Sequence, residues 1–132
     1  MVSPDSLRQS SLFAEFDDET LARLAEPFHE VDFPADQVLI EARTAGAGLF
    51  VICDGTVEVE AHDIRRTLGA GEVVGEISLV EEGTRRARVV TTSPVRALAL
   101  GRADFDQLVQ NEPRFGEAVR ELARRRLDDL QS

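Results

Sequence analysis

One stretch decides the fold class: Leu49-Phe50-Val51-Ile52-Cys53-Asp54-Gly55-Thr56-Val57-Glu58-Val59. It consists of two apolar runs separated by Asp54-Gly55, and an Asp-Gly pair between apolar runs is a strong signal for a short β-hairpin. In the second run, valines alternate with glutamate, which is typical of a strand with one buried face. The stretch therefore predicts two antiparallel strands joined by a tight turn.

The period-two pattern continues outward from residue 28 to residue 100, interrupted by frequent turn residues. It predicts eight strands: Phe28–Phe33, Val38–Glu41, Gly48–Cys53, Thr56–Ala61, Ile64–Leu68, Val73-Val74, Arg86–Thr92 and Val95–Leu100. Eight short strands with close turns favour an eight-stranded antiparallel β-barrel or jelly roll, because such folds remove or shorten exposed sheet edges. The expected fold is mainly β with flanking helices.

Helical periodicity lies on both sides of the strand region. Asp17 is placed to cap a helix that carries Leu21, Leu24 and Ala25 and ends at Pro27. After Gly101 the pattern predicts a hinge helix, a break at Pro113 and a last helix. The apolar stripe of the last helix is Phe115, Val119, Leu122, Ala123, Leu127 and Leu130. We expect a single domain over residues 1–132, with helices in 1–27 and 101–130 around a barrel in 28–100.

Composition limits the partners and sites that the chain can have. Its 132 residues carry a formal net charge of −10, so duplex nucleic acid is not expected as a partner of this chain alone. Cys53 is the single cysteine, and because it lies in an apolar run we expect it to be a buried residue rather than a nucleophile. His29 and His62 form no His-x-His pair, and no nucleophile or triphosphate-loop motif is present. We therefore expect no metal site and no enzymatic activity.

The ends and apolar runs of the chain contain no targeting signal. Residues 1–5 lack the basic start and apolar run of a signal peptide. The longest apolar stretch is far shorter than the ~20 residues of a membrane helix. We expect a cytoplasmic location and no membrane partner.

A second stretch carries the chemistry: Gly75-Glu76-Ile77-Ser78-Leu79-Val80-Glu81-Glu82-Gly83-Thr84-Arg85-Arg86-Ala87-Arg88-Val89. Gly75 allows a ligand to approach the backbone, and the helical turn that follows leaves the N–H groups of Ile77 and Ser78 free to bind an anion. The guanidinium of Arg85 can donate to two phosphate oxygens at once. The carboxylate of Glu76 can accept sugar hydroxyls. A phosphate site next to a sugar site indicates a nucleotide.

These residues resemble the phosphate-binding cassette of cyclic nucleotide-binding domains, the family of protein kinase A regulatory subunits, nucleotide-gated channels and catabolite-activator-type bacterial regulators. The resemblance extends from about Leu7 to about Leu127. It implies that Arg85 binds the cyclic phosphate and that Glu76 accepts the ribose 2′-hydroxyl. The ligand-binding residues that it implies are Gly75, Glu76, Ile77, Ser78, Arg85, Arg86 and Ala87.

The resemblance also implies that the C-terminal helix covers the base. Candidates for this lid are Leu122, Arg125, Arg126 and Leu127. The alternative is that this stripe docks on the barrel or on a second subunit. An exposed stripe of Phe115, Val119 and Leu122 would favour a homodimer through the last helix.

Several positions depart from the family pattern. Arg86 stands where many members have alanine, serine or threonine, and a hydroxyl there helps some members to favour guanine, so its absence favours cAMP over cGMP. Asp36 and Ala42 replace two turn glycines that are common in the family. Aspartate tolerates a left-handed turn better than alanine does.

We therefore expect a regulatory sensor that binds cAMP, or less favourably cGMP, without another cofactor, and that repositions its last helix for an unidentified effector protein. One alternative is a protein-interaction module of the same fold that no longer binds nucleotide. Another is a fragment of a larger regulator or channel. No helix-turn-helix follows the last helix, so DNA binding is not expected of this chain.

Overall fold

The computed structural model describes residues 2–40, 48–61, 64–75 and 88–131. Its helices are α1 (Pro4–Leu7), α2 (Asp18–Ala25), α3 (Arg102–Asn111) and α4 (Pro113–Gln131), with a 3₁₀ turn at Ser11–Phe13. Its strands are β1 (His29–Phe33), β2 (Val38–Ile40), β3 (Gly48–Asp54), β4 (Val57–Ala61), β5 (Ile64–Leu68), β6 (Val73–Val74), β7 (Arg88–Thr91) and β8 (Val95–Gly101).

The strands form two antiparallel four-stranded sheets. The first sheet has the order β1-β8-β3-β6 and the second has the order β2-β7-β4-β5. All eight predicted strands are present, with ends that differ by one or two residues. The predicted class, mainly β with helices at both termini of the strand region, is confirmed.

The turn at Asp54-Gly55 is present, but the predicted hairpin is wrong. β3 pairs with β8 and β6, whereas β4 pairs with β5 and β7, so the chain crosses from the first sheet to the second at this turn. Gly55 has a φ of +95°, and a Cβ there would collide with the carbonyl oxygen of Pro94. A chain that crosses between sheets needs a positive φ at this turn, as a hairpin turn does. The Asp-Gly pair therefore suits either connection.

Three crossings between the sheets meet at one end of the barrel, formed by residues 34–37, 54–56 and 91–94, which we call the closed end. The buried Thr91 hydroxyl donates to the Pro34 carbonyl at 2.6 Å and accepts from the Gln37 N–H at 2.8 Å. The Thr56 N–H donates to the Ser93 hydroxyl at 3.0 Å. Hydrogen bonds from residues distant in sequence therefore fix this end of the fold.

An inner core fills the space between the two sheets. Its buried members are Ile52, Val57, Val74, Val89, Val95 and Ala97. Phe33, Phe50, Val59 and Leu68 pack against this core and are only partly buried. Since residues directly opposite each other in an antiparallel pair project to the same side, these positions define the inner face of each sheet.

A second core joins the outer face of the first sheet to the helices. The strand residues in it are Leu49, Val51, Val73, Leu98 and Leu100. Phe115 of α4 stacks on Phe13 with ring centroids 6.0 Å apart and meets Phe105 of α3 edge to face at 5.8 Å. Burial of each large apolar side chain contributes about 2–3 kcal/mol, so this aromatic cluster holds both termini against the barrel.

Phe115 and Val119 are fully buried within the chain, and Leu122 packs partly against the same core. Phe115 and Val119 are therefore not exposed, so at these two positions the Phe115, Val119 and Leu122 stripe cannot meet a second subunit as it was expected to in a homodimer. The N-terminal helices already cover these two side chains.

The helix ends follow the sequence signals. The Asp17 carboxylate accepts a hydrogen bond from the Thr20 N–H at 2.8 Å, and Pro113 begins α4. Asp36 has a φ of +64°, the left-handed conformation that aspartate tolerates, whereas Ala42 lies outside the described residues. None of the helices in the described ranges is both long enough and apolar enough to cross a bilayer.

Candidate functional site

Gly75 directly follows β6 and has a φ of +94°, which favours glycine. The other residues predicted to bind ligand lie outside the described residues: Glu76, Ile77, Ser78, Arg85, Arg86 and Ala87. Val74 lies opposite Phe50, near the start of β3, whereas Asp54 at the end of β3 belongs to the closed end. Gly75 is thus at the opposite end of the barrel, which we call the open end.

The described residues on either side of the predicted cassette lie in different sheets, both at the open end. The chain leaves β6 of the first sheet at Gly75 and enters β7 of the second sheet at Arg88. Arg88 lies opposite Glu60, and Val89 lies opposite Val59. The predicted cassette therefore begins and ends beside the gap between the two inner faces.

Partly buried apolar side chains line the inner faces of the two sheets, with Phe33 and Leu68 toward the closed end and Phe50 and Val59 nearer the open end. Phe33 and Phe50 meet edge to face with ring centroids 5.8 Å apart, and Val59 and Leu68 project from the second sheet. Among them, Phe50 and Val59 offer apolar surface of the kind that suits the faces of a planar base.

Two adjacent arginines of β5 lie on opposite faces of the second sheet. The Arg65 guanidinium is 3.7 Å from the Glu60 carboxylate and 3.8 Å from that of Glu58, on the outer face. Arg66 lies opposite Val59, on the inner face that Leu68 also occupies. Arg66 was not among the predicted site residues, although counting alternate residues back from Leu68 identifies its face.

The last helix contacts the strand that precedes the cassette. Arg126 donates through Nη1 to the Val73 carbonyl and through Nη2 to Glu72 Oε2, the latter at 3.0 Å. Leu122 packs partly against the outer core and Arg125 is exposed, whereas the side chain of Leu127 lies outside the described residues. Of the four lid candidates, Arg126 thus contacts the barrel and Leu122 packs against the outer core.

A small cleft lies beside the Arg126 contact. Its lining residues are Ser10, Ser11, Leu12, Gly71, Glu72, Val73, Leu122, Arg125 and Arg126. It encloses only about 30 Å³, which is room for a water molecule or two but not for a nucleotide base. This cleft is therefore too small to be the predicted base site.

The start of the last helix is held by the N-terminal helices. Arg23 Nε donates to Glu112 Oε1 at 2.8 Å at the break between α3 and α4, and this hydrogen bond raises the pKa of Arg23. The Arg114 guanidinium lies 5.6 Å from the ring centroid of Phe16, within cation–π range. Helix α4 therefore contacts the body of the protein near both of its ends.

Cys53 packs at the margin of the outer core, outside the inner faces. Partial burial raises the pKa of its thiol, which disfavours the reactive thiolate. Within the described ranges, no group of three His, Cys, Asp or Glu side chains is arranged to hold a metal ion.

Comparisons with known proteins agree with this arrangement. The family described as "Cyclic nucleotide-binding domain" matches residues 30–112. The chain is 31% identical to cGMP-dependent protein kinase isozyme 1 of Drosophila melanogaster, over 92% of the chain and 18% of that kinase. It is 26% identical to a CRP-like cAMP-activated global transcriptional regulator of Mycobacterium tuberculosis, over 92% of the chain and 57% of that regulator.

A putative cyclic nucleotide-binding protein from Geobacter metallireducens has the same fold. Its crystal structure superimposes with a TM-score of 0.83 and 23% identity over the full length of both chains. The two curated relatives above are longer proteins, and the chain spans between 18% and 57% of their lengths.

Proposed function

Because the chain belongs to the cyclic nucleotide-binding domain family, we propose that it is a regulatory sensor that binds a 3′,5′-cyclic nucleotide between its two sheets. The observation that carries the proposal is the position of Gly75, which has a positive φ and opens the cassette sequence at the gap between the inner faces. A side chain at this position would obstruct the approach of a sugar to the backbone.

The cassette residues have distinct roles in this proposal. Arg85 pairs with the cyclic phosphate, and the N–H groups of Ile77, Ser78 and Arg86 complete its cradle. Glu76 accepts the ribose 2′-hydroxyl. Ala87 is small enough to leave room for the ligand.

The last helix transmits binding in this proposal. Ligand capture draws the cassette inward, and the contact of Arg126 with Glu72 and Val73 couples the strand before the cassette to the end of α4. An effector protein then reads the new helix position, so the domain regulates rather than catalyses, and we place it in the cytoplasm.

Fewer residues bear on which base the proposed site prefers than on phosphate and ribose binding. Position 86 carries no hydroxyl, and on that position alone cAMP is favoured over cGMP. The two relatives described above do not decide the question, since one is named for cGMP and the other for cAMP.

The rival candidate, a docking module without nucleotide binding, rests on the departures at positions 36, 42 and 86. Asp36 no longer supports it, because the residue adopts the left-handed conformation that a turn glycine would provide. The rival therefore rests on Ala42 and Arg86.

Isothermal titration with cAMP, cGMP and non-cyclic 5′-AMP tests the proposal. We expect cyclic nucleotides to bind and 5′-AMP to bind much more weakly. Arg85→Ala should cost about 2–3 kcal/mol of binding free energy, the scale of a charge-assisted hydrogen bond. Absence of heat with both cyclic nucleotides, from folded protein free of bound ligand, would favour the docking module.

A further inference from the structure

We propose that Ser11 is a phosphorylation site whose phosphate binds Arg125 of the last helix. The serine and the arginine line the same small cleft, the one beside the Arg126 contact. The inference does not depend on nucleotide binding. It follows from the exposure of Ser11, the pairing of the charges around the cleft and the chemistry of a phosphate monoester.

Ser11 is the accessible one of the two serines that line the cleft. Ser10 is only 2% exposed, and its hydroxyl accepts a hydrogen bond from the Leu12 N–H at 3.3 Å. Ser11 is exposed, and its side chain makes no hydrogen bond within the described ranges. A phosphate on Ser11 therefore breaks no hydrogen bond of the described chain, whereas a phosphate on Ser10 would displace a buried side chain.

Arg125 is the cation that is available to such a phosphate. It is exposed and has no ion pair within the described ranges. Its neighbours differ, because Arg124 pairs with a glutamate of its own helix and Arg126 pairs with Glu72, each at 3.0 Å. Arg125 lies three residues after Leu122, on the face of the helix that borders the cleft, whereas Arg124 is not among the described lining residues.

The charge at the cleft favours an anion, although the chain as a whole is acidic. The described lining residues carry the guanidinium groups of Arg125 and Arg126 and the carboxylate of Glu72. One positive charge is therefore uncompensated at the cleft, in a chain with a formal net charge of −10. A phosphoserine carries a charge of about −1.5 to −2 at pH 7 and three acceptor oxygens, which suit the planar donors of a guanidinium.

The size of the cleft places the phosphate at its mouth. The interior holds only about 30 Å³, room for a water molecule or two. Ser11 and Arg125 are both exposed, so the phosphate and the guanidinium meet on the solvent side of the cleft. Their contact joins the N-terminal 3₁₀ turn to the last helix, one residue before Arg126 contacts the barrel.

A protein serine kinase supplies the phosphate from ATP. The Ser11 oxygen forms a bond to the γ-phosphorus, the bond from that phosphorus to the bridging oxygen breaks, ADP leaves, and the hydroxyl proton passes to the base of the kinase. Arg8, three residues before Ser11, offers a positive charge to a kinase that selects substrates by their charge pattern. The side chain of its ion-pair partner Asp18 is 96% exposed, so this surface pair is weak enough to exchange.

The full chain, phosphorylated at Ser11 by genetic encoding of phosphoserine, tests the proposal. Phosphorus NMR measures the second pKa of the phosphate, which is ordinarily about 6. We expect this pKa to be lowered, because Arg125 stabilises the dianion while Glu72 is already paired with Arg126. Amide exchange in the C-terminal half of α4 should be about 1.5- to 5-fold slower than in the unmodified chain, the range of one exposed ion pair.

Arg125→Ala should return both readouts of the phosphorylated chain toward their ordinary values. Arg124→Ala is the matched control, because it removes the adjacent arginine and should leave both readouts unchanged. In the unmodified chain, Arg125→Ala should leave exchange as it is in the parent, which separates the phosphate contact from a structural role of the arginine. Circular dichroism and thermal melting establish that each protein is folded.

A phosphate pKa that is the same with and without Arg125 would overturn the assignment, as would equal effects of Arg124→Ala and Arg125→Ala. A chain that no longer folds once Ser11 is phosphorylated would overturn it too, because the mouth of the cleft would then not accept the phosphate. None of these measurements uses a nucleotide, so their outcome is independent of whether the proposed sensor function holds.

Discussion

The guanidinium of Arg126 and the carboxylate of Glu72 join the last helix to the turn before β6, with Nη2 3.0 Å from Oε2. The same guanidinium also donates to the Val73 carbonyl. Glu72 lies three residues before Gly75, where the cassette sequence begins. Withdrawal of the helix end therefore requires that both contacts break next to the proposed ligand site.

We expect Arg126→Ala to release the last turns of α4. The Arg126 side chain is 19% exposed and that of Glu72 is 49% exposed, so the ion pair itself contributes under about 1 kcal/mol and the carbonyl contact adds about 1 kcal/mol. Hydrogen exchange should become faster in the C-terminal half of α4. Glu72→Gln should have a smaller effect, because the contact with Val73 remains.

Arg124→Ala provides the control for that experiment. Arg124 pairs at 3.0 Å with Glu121 of its own helix, three residues earlier. If Arg124→Ala and Arg126→Ala accelerated exchange equally, the contact with the barrel would not be what holds the helix end.

Thr91→Val should destabilise the closed end. Valine has nearly the shape of threonine, but it leaves the Gln37 N–H and the Pro34 carbonyl without the buried hydroxyl that now pairs with both. Pro34 and Gln37 are exposed, so water can partly replace the lost bonds, and we expect a loss of about 1–2 kcal/mol in urea unfolding. Thr67→Val, at an exposed position of β5, should change the stability by less than about 0.5 kcal/mol.

Gly116→Ala should destabilise the parent protein but stabilise a Val109→Ala variant. A Cβ at Gly116 would lie 2.9 Å from Cγ1 of Val109, where α4 packs on α3. Overpacking costs about 1–3 kcal/mol, whereas alanine in a helix gains about 1 kcal/mol over glycine. We expect a net loss in the parent.

In a Val109→Ala background, Gly116→Ala should instead stabilise the protein by about 1 kcal/mol, because the clash is gone while the helix propensity remains. Equal effects in the two backgrounds, measured by thermal or urea unfolding, would show that close packing at Val109 does not explain the glycine.

Removal of the Asp17 charge should make stability less dependent on pH. The side-chain hydrogen bond with Thr20 and the Thr20 backbone N–H lower the pKa of Asp17 in the folded protein. A lowered folded-state pKa adds stability that is fully present above the unfolded-state pKa of about 4 and is lost as the pH falls below it. The stability difference between the parent and Asp17→Asn should therefore change as the pH is lowered from about 5 to 3, in favour of Asp17→Asn. A difference that stays constant over this range would contradict the assignment.

Local sequence signals identified the elements but not all of their partners. Asp17 and Pro113 marked helix starts because capping and proline geometry depend on adjacent residues. Asp54-Gly55 marked a turn correctly, yet β3 pairs with β8, more than forty residues later, rather than with β4. The packing of complete sheets decides that pairing, and turn chemistry does not report it.

The site was predictable to a similar degree. Gly75 is the one predicted ligand-binding residue within the described ranges; it follows β6 with a φ of +94°, and its role in binding stays a prediction. The partner of Arg126 was not predicted, because it comes from a turn more than fifty residues earlier. Strand alternation identifies the face of the sheet on which Arg66 lies. Only the pairing with Val59 and Val89 shows that this face borders the space between the sheets.

The two ends of the barrel depend on different sets of residues. The closed end depends on hydrogen bonds among backbone groups and a few hydroxyls, such as those of Thr91 and Ser93. The open end holds Gly75 and Arg66, which these bonds do not involve. On the proposed function, substitutions at the open end can change ligand preference while the hydrogen bonds of the closed end stay intact, so that one scaffold could acquire new chemical signals without first regaining its stability.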